Sequence, residues 1–111
     1  MSFAPLDYLR HIVVEADYLL EQAGGLSREA FLADETLRRA FVRSLEIIGE
    51  ASKNVPQEFR DQYSWIDWRA MAGMRDRLIH GYFGVDFELV WEIVDRRIPE
   101  LRRQLAVILS T

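Results

Sequence analysis

Apolar residues recur at spacings of three and four almost from one end of this chain to the other, and that periodicity admits little besides helix. From Pro5 to about Ala23, Leu6, Leu9, Val13, Ala16 and Leu20 fall on one stripe, which Gly24-Gly25 ends. Leu37, Phe41, Ser44, Leu45 and Ile48 form a second stripe reaching about Lys53, with Asp34 as its N-cap and Ser27 capping a short helix before it. No segment alternates apolar and polar residues as a half-buried strand would, so no strand is expected.

The second half continues the pattern with more punctuation. Asn54 to Tyr63 reads as a loop with a short helical turn after Pro56. Ser64 and Asp67 resemble the two ends of a capping box, opening a helix whose core line is Met71, Met74 and Leu78. Trp65 and Trp68 are expected to pack its entrance. Gly81, Phe83-Gly84 and Val85 form the exit, and Asp86 caps a last long helix with Leu89, Val90, Ile93 and Val94 inward. Pro99 should kink or restart that helix before Leu101, Leu105, Ile108 and Leu109 complete it. The expected fold is all-α, an antiparallel bundle of four to five helices in one domain spanning 1–111.

Composition closes off several classes. The chain has 111 residues, half of them apolar, so it can bury a core of its own. It has no cysteine, which excludes disulfides, thiolate metal sites and thiol nucleophiles. No apolar run approaches the roughly 20 residues of a membrane span, and a cytoplasmic protein is expected. The net charge is -4, carried wholly by residues 1–50, which hold five Arg and nine Asp or Glu. Residues 51–111 hold nine of each sign. A polyanion would therefore approach the second half, through Arg69, Arg75, Arg77 and the pairs Arg96-Arg97 and Arg102-Arg103.

Chemistry concentrates in Arg75-Asp76-Arg77-Leu78-Ile79-His80-Gly81-Tyr82. Arginine is a fixed cation shaped for phosphate, histidine titrates near neutrality, and tyrosine adds a hydroxyl. That set points to phosphodiester chemistry without a metal. On a straight helix Arg75 and His80 would lie roughly 140° apart. Asp76 would share a face with His80, and Arg75 with Ile79 and Tyr82. Using both Arg75 and His80 in one site needs a bent helix end, which Gly81 can supply, or a second copy of the chain. A two-fold dimer is the expected solution. Elsewhere, Arg39, Arg43, Glu46, Glu50 and Lys53 form a polar stripe, read either as an ion-pair ladder or as a face on which Glu46 or Glu50 orients Arg75. Asp7, His11 and Glu15, spaced by four, read as a ladder of charge pairs rather than a metal site.

At Arg75–Tyr82 the chain resembles the R-x4-H-x-Y motif of the HEPN superfamily, and more narrowly the HepT toxins. Two further stretches carry the likeness: RSLEIIGEASKNVP from Arg43 to Pro56, and WRAMAGMRDRLIHGYFGVDFELVWEIV from Trp68 to Val94. The resemblance implies a homodimeric helical bundle whose motifs line one cleft. It implies a metal-independent endoribonuclease acting as the toxin of a toxin–antitoxin pair, with Arg75 and His80 catalytic. It also implies a partner, a MntA-type minimal nucleotidyltransferase, which silences the toxin by adding AMP to Tyr82. ATP and magnesium would serve that partner, and this chain would need no cofactor of its own. Asp76 fills the polar position after the arginine, where it could hold His80 in one tautomer, while Arg77 stands ready beside an added phosphate. The competing reading is a non-catalytic helical partner or substrate-binding subunit of a nucleotidyltransferase, with Arg75 and His80 structural.

Overall fold

The computed structural model describes residues 4–80 and 84–110, the side chain of His80 excepted. In chain order it contains α1 (Pro5–Ala23), α2 (Arg28–Ala33), α3 (Glu35–Asn54), α4 (Gln57–Gln62), α5 (Trp68–Ala72) and α6 (Met74–Leu78). A two-residue strand β1 (Ile79–His80) then pairs antiparallel with β2 (Gly84–Val85), and α7 (Phe87–Glu92) runs through a π-helical turn at Ile93–Arg97 into α8 (Ile98–Leu109). The class is all-α; the ladder has only two rungs, Ile79 opposite Val85 and His80 opposite Gly84.

Helix α1 packs against both α3 and α8. It runs antiparallel to α3, since Tyr18 meets the Phe41 ring (centroids 6.5 Å apart) while the earlier Glu15 accepts a 2.8 Å hydrogen bond from the later Ser44. With partners on two sides, its buried arc centres on Leu9, Ile12, Ala16 and Leu19. Val13 and Leu20, expected inward, are only half-buried, so the stripe is turned by about one residue. Burying those four side chains outweighs the ion pair Asp7–Arg10 on the exposed face: each buried leucine or isoleucine stabilises by about 1.5–3 kcal/mol, an i,i+3 pair by a few tenths. Asp7 also accepts from the Ala4 amide, so Asp7 and Glu15 take their hydrogen bonds outside the Asp7–His11–Glu15 series. Gly25, at φ 78°, takes the left-handed turn after α1 that a residue with a Cβ would resist.

Caps match the sequence at Ser27, Asp34 and Asp86, whose side chains accept from Ala30, Leu37 and Leu89 amides. The proposed capping box does not form. Asp67 is itself the N-cap of α5, accepting from Ala70 N–H at 3.0 Å, so its carboxylate serves the helix that follows rather than Ser64. The C-terminus of α3 is closed by Arg60 of α4. Its guanidinium donates to the carbonyls of Val55, Ser52 and Lys53 at 2.9, 3.0 and 2.9 Å, satisfying acceptors that a helix end leaves open.

Three aromatic rings close the opposite end of α3. Phe31 of α2 stacks tilted against Phe41 of α3 at 4.8 Å and Trp91 of α7 at 5.4 Å. Arg28 of α2 adds an ion pair to Glu88 of α7 at 2.8 Å. Pro99 stands in the first turn of α8, where the α-helix restarts after the π turn. The wider π turn immediately before it makes room for the ring and for the missing amide, and the backbone stays right-handed helical at Arg97 and Ile98. No helix among the described residues is long and apolar enough to cross a membrane.

Candidate active site

The expected motif helix is two short helices and a strand. Helix α5 is pressed against α3 at Gly49, where a Cβ would come within 3.1 Å of the Met71 carbonyl oxygen. A side chain there would need the α5 backbone to give by a few tenths of an ångström. The chain then hitches at Gly73 (φ -88°, ψ 2°) and starts again as α6. Met74 and Leu78 anchor α6 in the core, at 5% and 1% exposure, and Arg75, Asp76 and Arg77 between them are all exposed. Ile79 leaves the helix with extended backbone (φ -112°, ψ 116°).

That departure corrects the helical-face reading of the motif. Asp76 and His80 are not i,i+4 neighbours on one helix, and Arg75 shares no helical face with Ile79, because the helix ends at Leu78. A bend between Arg75 and His80 does exist, at Ile79; Gly81, expected to supply it, lies outside the described residues. The cause is local. Ile79 and Val85 are β-branched residues facing each other across the ladder, flanked by aromatics and glycines. Such a run is a hairpin signal. Asp86, whose amide donates to the Leu78 carbonyl at 2.9 Å, ties the return of the hairpin to the end of α6. The imidazole of His80 and the whole of Tyr82 lie outside the described residues.

Among the expected site residues, the structure brings Arg75 and Glu46 together. The Arg75 Nε lies 3.5 Å from a Glu46 carboxylate oxygen, with the arginine side chain 61% exposed and the glutamate 27%. At that length and exposure the pair is an electrostatic tether, worth about 0–1 kcal/mol to stability. Glu50, one turn further along α3, lines a groove of about 410 Å³ with Glu46, Arg43, Tyr8 and His11. Tyr8 and His11 meet edge to face there, centroids 6.3 Å apart. Arg77 turns elsewhere. It lines a second cleft, of about 220 Å³, between α5–α6 and the π turn and α8, together with Trp65, Arg97 and Glu100. Arg75 and Arg77 thus serve opposite flanks of α6.

Sequence reasoning missed three features of this region. Gly49 sits in the EIIGEA stretch, and a glycine inside an otherwise strong helix was the available sign of a close approach. Trp65 is 49% exposed, whereas Trp68 is buried and donates its indole N–H to the Tyr63 carbonyl at 3.0 Å. Arg60 carried no distinguishing signal in sequence. Of the two arginine pairs in the last helix, Arg102 is bound to Asp17 of α1 at 2.6 Å, and Arg97 lines the second cleft.

The bundle thus presents Arg75 on a short helix, tethered by Glu46 of α3, just before His80 in extended backbone. Residues 12–108 match the family model described as "Ribonuclease HepT-like". The chain belongs to this family. It is 53% identical over 106 residues to "Putative RNase TTE0752" of Caldanaerobacter subterraneus, covering 96% of this chain and 95% of that one. It is 46% identical over 96 residues to "Probable ribonuclease HepT" of Thermococcus cleftensis, covering 86% and 87%. It is also 42% identical over 103 residues to "Gamma-glutamylcyclotransferase and putative RNase MJ0434" of Methanocaldococcus jannaschii, of which it spans 46%. No solved structure matches the chain.

Proposed function

We propose that this chain is a metal-independent endoribonuclease, the toxin of a toxin–antitoxin pair, working as a homodimer with Arg75 and His80 as its catalytic residues. The observation that carries this reading is the presentation of Arg75. It stands exposed on a helix locked into the core by Met74 and Leu78, and is held from one side by Glu46 at 3.5 Å. A structural arginine would be satisfied by its neighbours. This one keeps most of its guanidinium for a ligand, and membership of the HepT-like ribonucleases makes an RNA phosphate the fitting one.

The reaction needs no external nucleophile. One His80 imidazole accepts the proton of the RNA 2′-hydroxyl as that oxygen bonds to phosphorus. The phosphorus–O5′ bond breaks, and the His80 imidazolium of the partner subunit returns a proton to the leaving oxygen. Arg75 holds the non-bridging oxygens through the pentacoordinate state. The products are a 2′,3′-cyclic phosphate and a 5′-hydroxyl. Asp76, exposed beside Arg75 on α6, is a supporting polar neighbour in this scheme. Tyr82 is the switch: a MntA-type nucleotidyltransferase, using ATP and magnesium, transfers AMP to its hydroxyl, and the added anion occupies the phosphate site.

Cleavage should proceed in EDTA, leave cyclic phosphate ends and spare DNA, which lacks the attacking hydroxyl. Arg75→Ala and His80→Ala should each lose at least roughly a hundredfold in rate while keeping their helical circular dichroism. Full activity in His80→Ala overturns the mechanism, and a purely monomeric chain in sedimentation at micromolar concentration overturns the shared cleft. For the switch, AMP should add to the wild-type chain but not to Tyr82→Phe. ATP-dependent silencing of Tyr82→Phe would place the switch elsewhere.

A further inference from the structure

We propose that the cleft between Trp65, Arg77 and Arg97 is a nucleobase subsite, taking one unpaired base of the RNA whose backbone is cut at Arg75. The inference rests on the nuclease reading for its substrate class and on independent geometry for its place. The floor of the cleft is apolar, formed by Met71, Met74, Ile93, Ile98 and Leu101. Its rim carries two arginines and two carboxylates, Asp67 and Glu100, so it is no trap for a cluster of phosphates. A flat, uncharged heterocycle fits that lining. The volume of about 220 Å³ lies below the roughly 300–1,000 Å³ of sites for drug-sized ligands, which suits one base rather than two.

Trp65 supplies the stacking surface. It is 49% exposed, one of three large apolar side chains with most exposure among the described residues. Its contact with Tyr63 is edge-on (85° between rings, centroids 6.1 Å apart), which braces the indole and leaves at least one face uncovered by that neighbour. The backbone beneath it is fixed in advance. The Trp65 carbonyl accepts from Gln104 of α8 at 3.4 Å, the Ile66 amide donates to Tyr63, and Ile66 and Trp68 are buried on either side. Arg77 and Arg97 make no ion pair among the described residues, so both guanidinium groups are available to the flanking phosphate. Asp67 is occupied as an N-cap, and Glu100 remains as an acceptor for a base amino group. Arg77 lies two residues from Arg75 on α6 but on its opposite flank, so a strand held at the subsite reaches the catalytic arginine by crossing that one short helix.

The test uses the whole chain and a 2′-O-methyl tetranucleotide, which no 2′-hydroxyl mechanism can cut. Binding is read by tryptophan fluorescence and by anisotropy of a labelled oligonucleotide, and KM and kcat are measured on the unmodified RNA. The expected result is quenching in the wild type, an affinity about tenfold or more weaker in Trp65→Ala, and near-wild-type affinity in Trp65→Phe, the scale of one stacked base. Arg77→Ala and Arg97→Ala should each weaken binding and flatten its salt dependence by about one charge. In cleavage the Trp65→Ala loss should fall on KM. A wild-type chain that cuts RNA while Trp65→Ala binds within twofold of it overturns the subsite and leaves the nuclease standing. Trp65-dependent binding by a chain that cuts nothing overturns the nuclease and leaves the subsite. A wild type that binds no oligonucleotide overturns the subsite outright.

Discussion

Two arginines with charged or polar partners illustrate how differently one residue type is used. Arg60 donates three hydrogen bonds to carbonyls at the end of α3, and its side chain is half-buried. A hydrogen bond to a charged group contributes about 1.5–3 kcal/mol when buried, and much less where water can replace it, as it can around a half-exposed guanidinium. Arg60→Ala should therefore cost about 1–2 kcal/mol in urea unfolding, and Arg60→Lys should recover little, since an ammonium cannot span the fork. Arg75 contributes almost nothing of this kind. Glu46→Gln should leave the urea midpoint within about 0.5 kcal/mol. If Glu46 positions Arg75 for the proposed reaction, the same change should lower RNA cleavage several-fold through kcat. A Glu46→Gln protein with unaltered kcat would show that the 3.5 Å pair is only a surface contact.

At the scale of elements, α3 and α5 depend on a missing side chain. A Cβ at Gly49 meets the Met71 carbonyl at 3.1 Å, tighter than backbone will accept without moving. Overpacking of this sort costs about 1–3 kcal/mol, while the gain in helix propensity returns at most about 1. The steric term wins, so Gly49→Ala should be less stable in thermal unfolding, and α6 should shift with α5, loosening the Arg75–Glu46 pair. A Gly49→Ala protein as stable as the wild type would mean that α5 yields freely. Elements of this size also mark where the sequence was legible. Helices α1 and α3 could be read from periodicity because each is about twenty residues long and presents its stripe to fixed partners. The five residues of α5 and the five of α6 share one periodic line, and periodicity cannot see the hitch at Gly73 that divides them. The ladder was hidden for a similar reason, since two residues are too few to alternate. Pro99 marks the restart of the last helix in the sequence, but not the π turn before it, which depends on tertiary packing of Ile93, Val94 and Ile98. Arg75, Glu46 and Arg77 were all singled out in advance, but not that α6 would turn the two arginines to opposite flanks.

For the whole molecule, the governing fact is that buried side chains from every long element belong to one continuous core, from Leu9 to Ile108. Phe31 is the keystone of its aromatic end, fully buried between α3 and α7. Phe31→Ala should cost about 3–5 kcal/mol, a large share of the roughly 5–15 kcal/mol that holds a domain folded. Guanidinium unfolding would measure it, and a loss below 1 kcal/mol would mean the ring is not clamped. The brevity of α6 has a further consequence, for what a fragment of the chain can display. Five residues cannot hold a helix in water, because nucleation consumes more than so few bonds return. The helix that carries Arg75 is therefore shaped from outside, by Met74 and Leu78 settling into the core against α3, α5 and α7. A peptide that carries the full R-x4-H text but lacks α3 would leave its arginine on a segment with nothing to shape it.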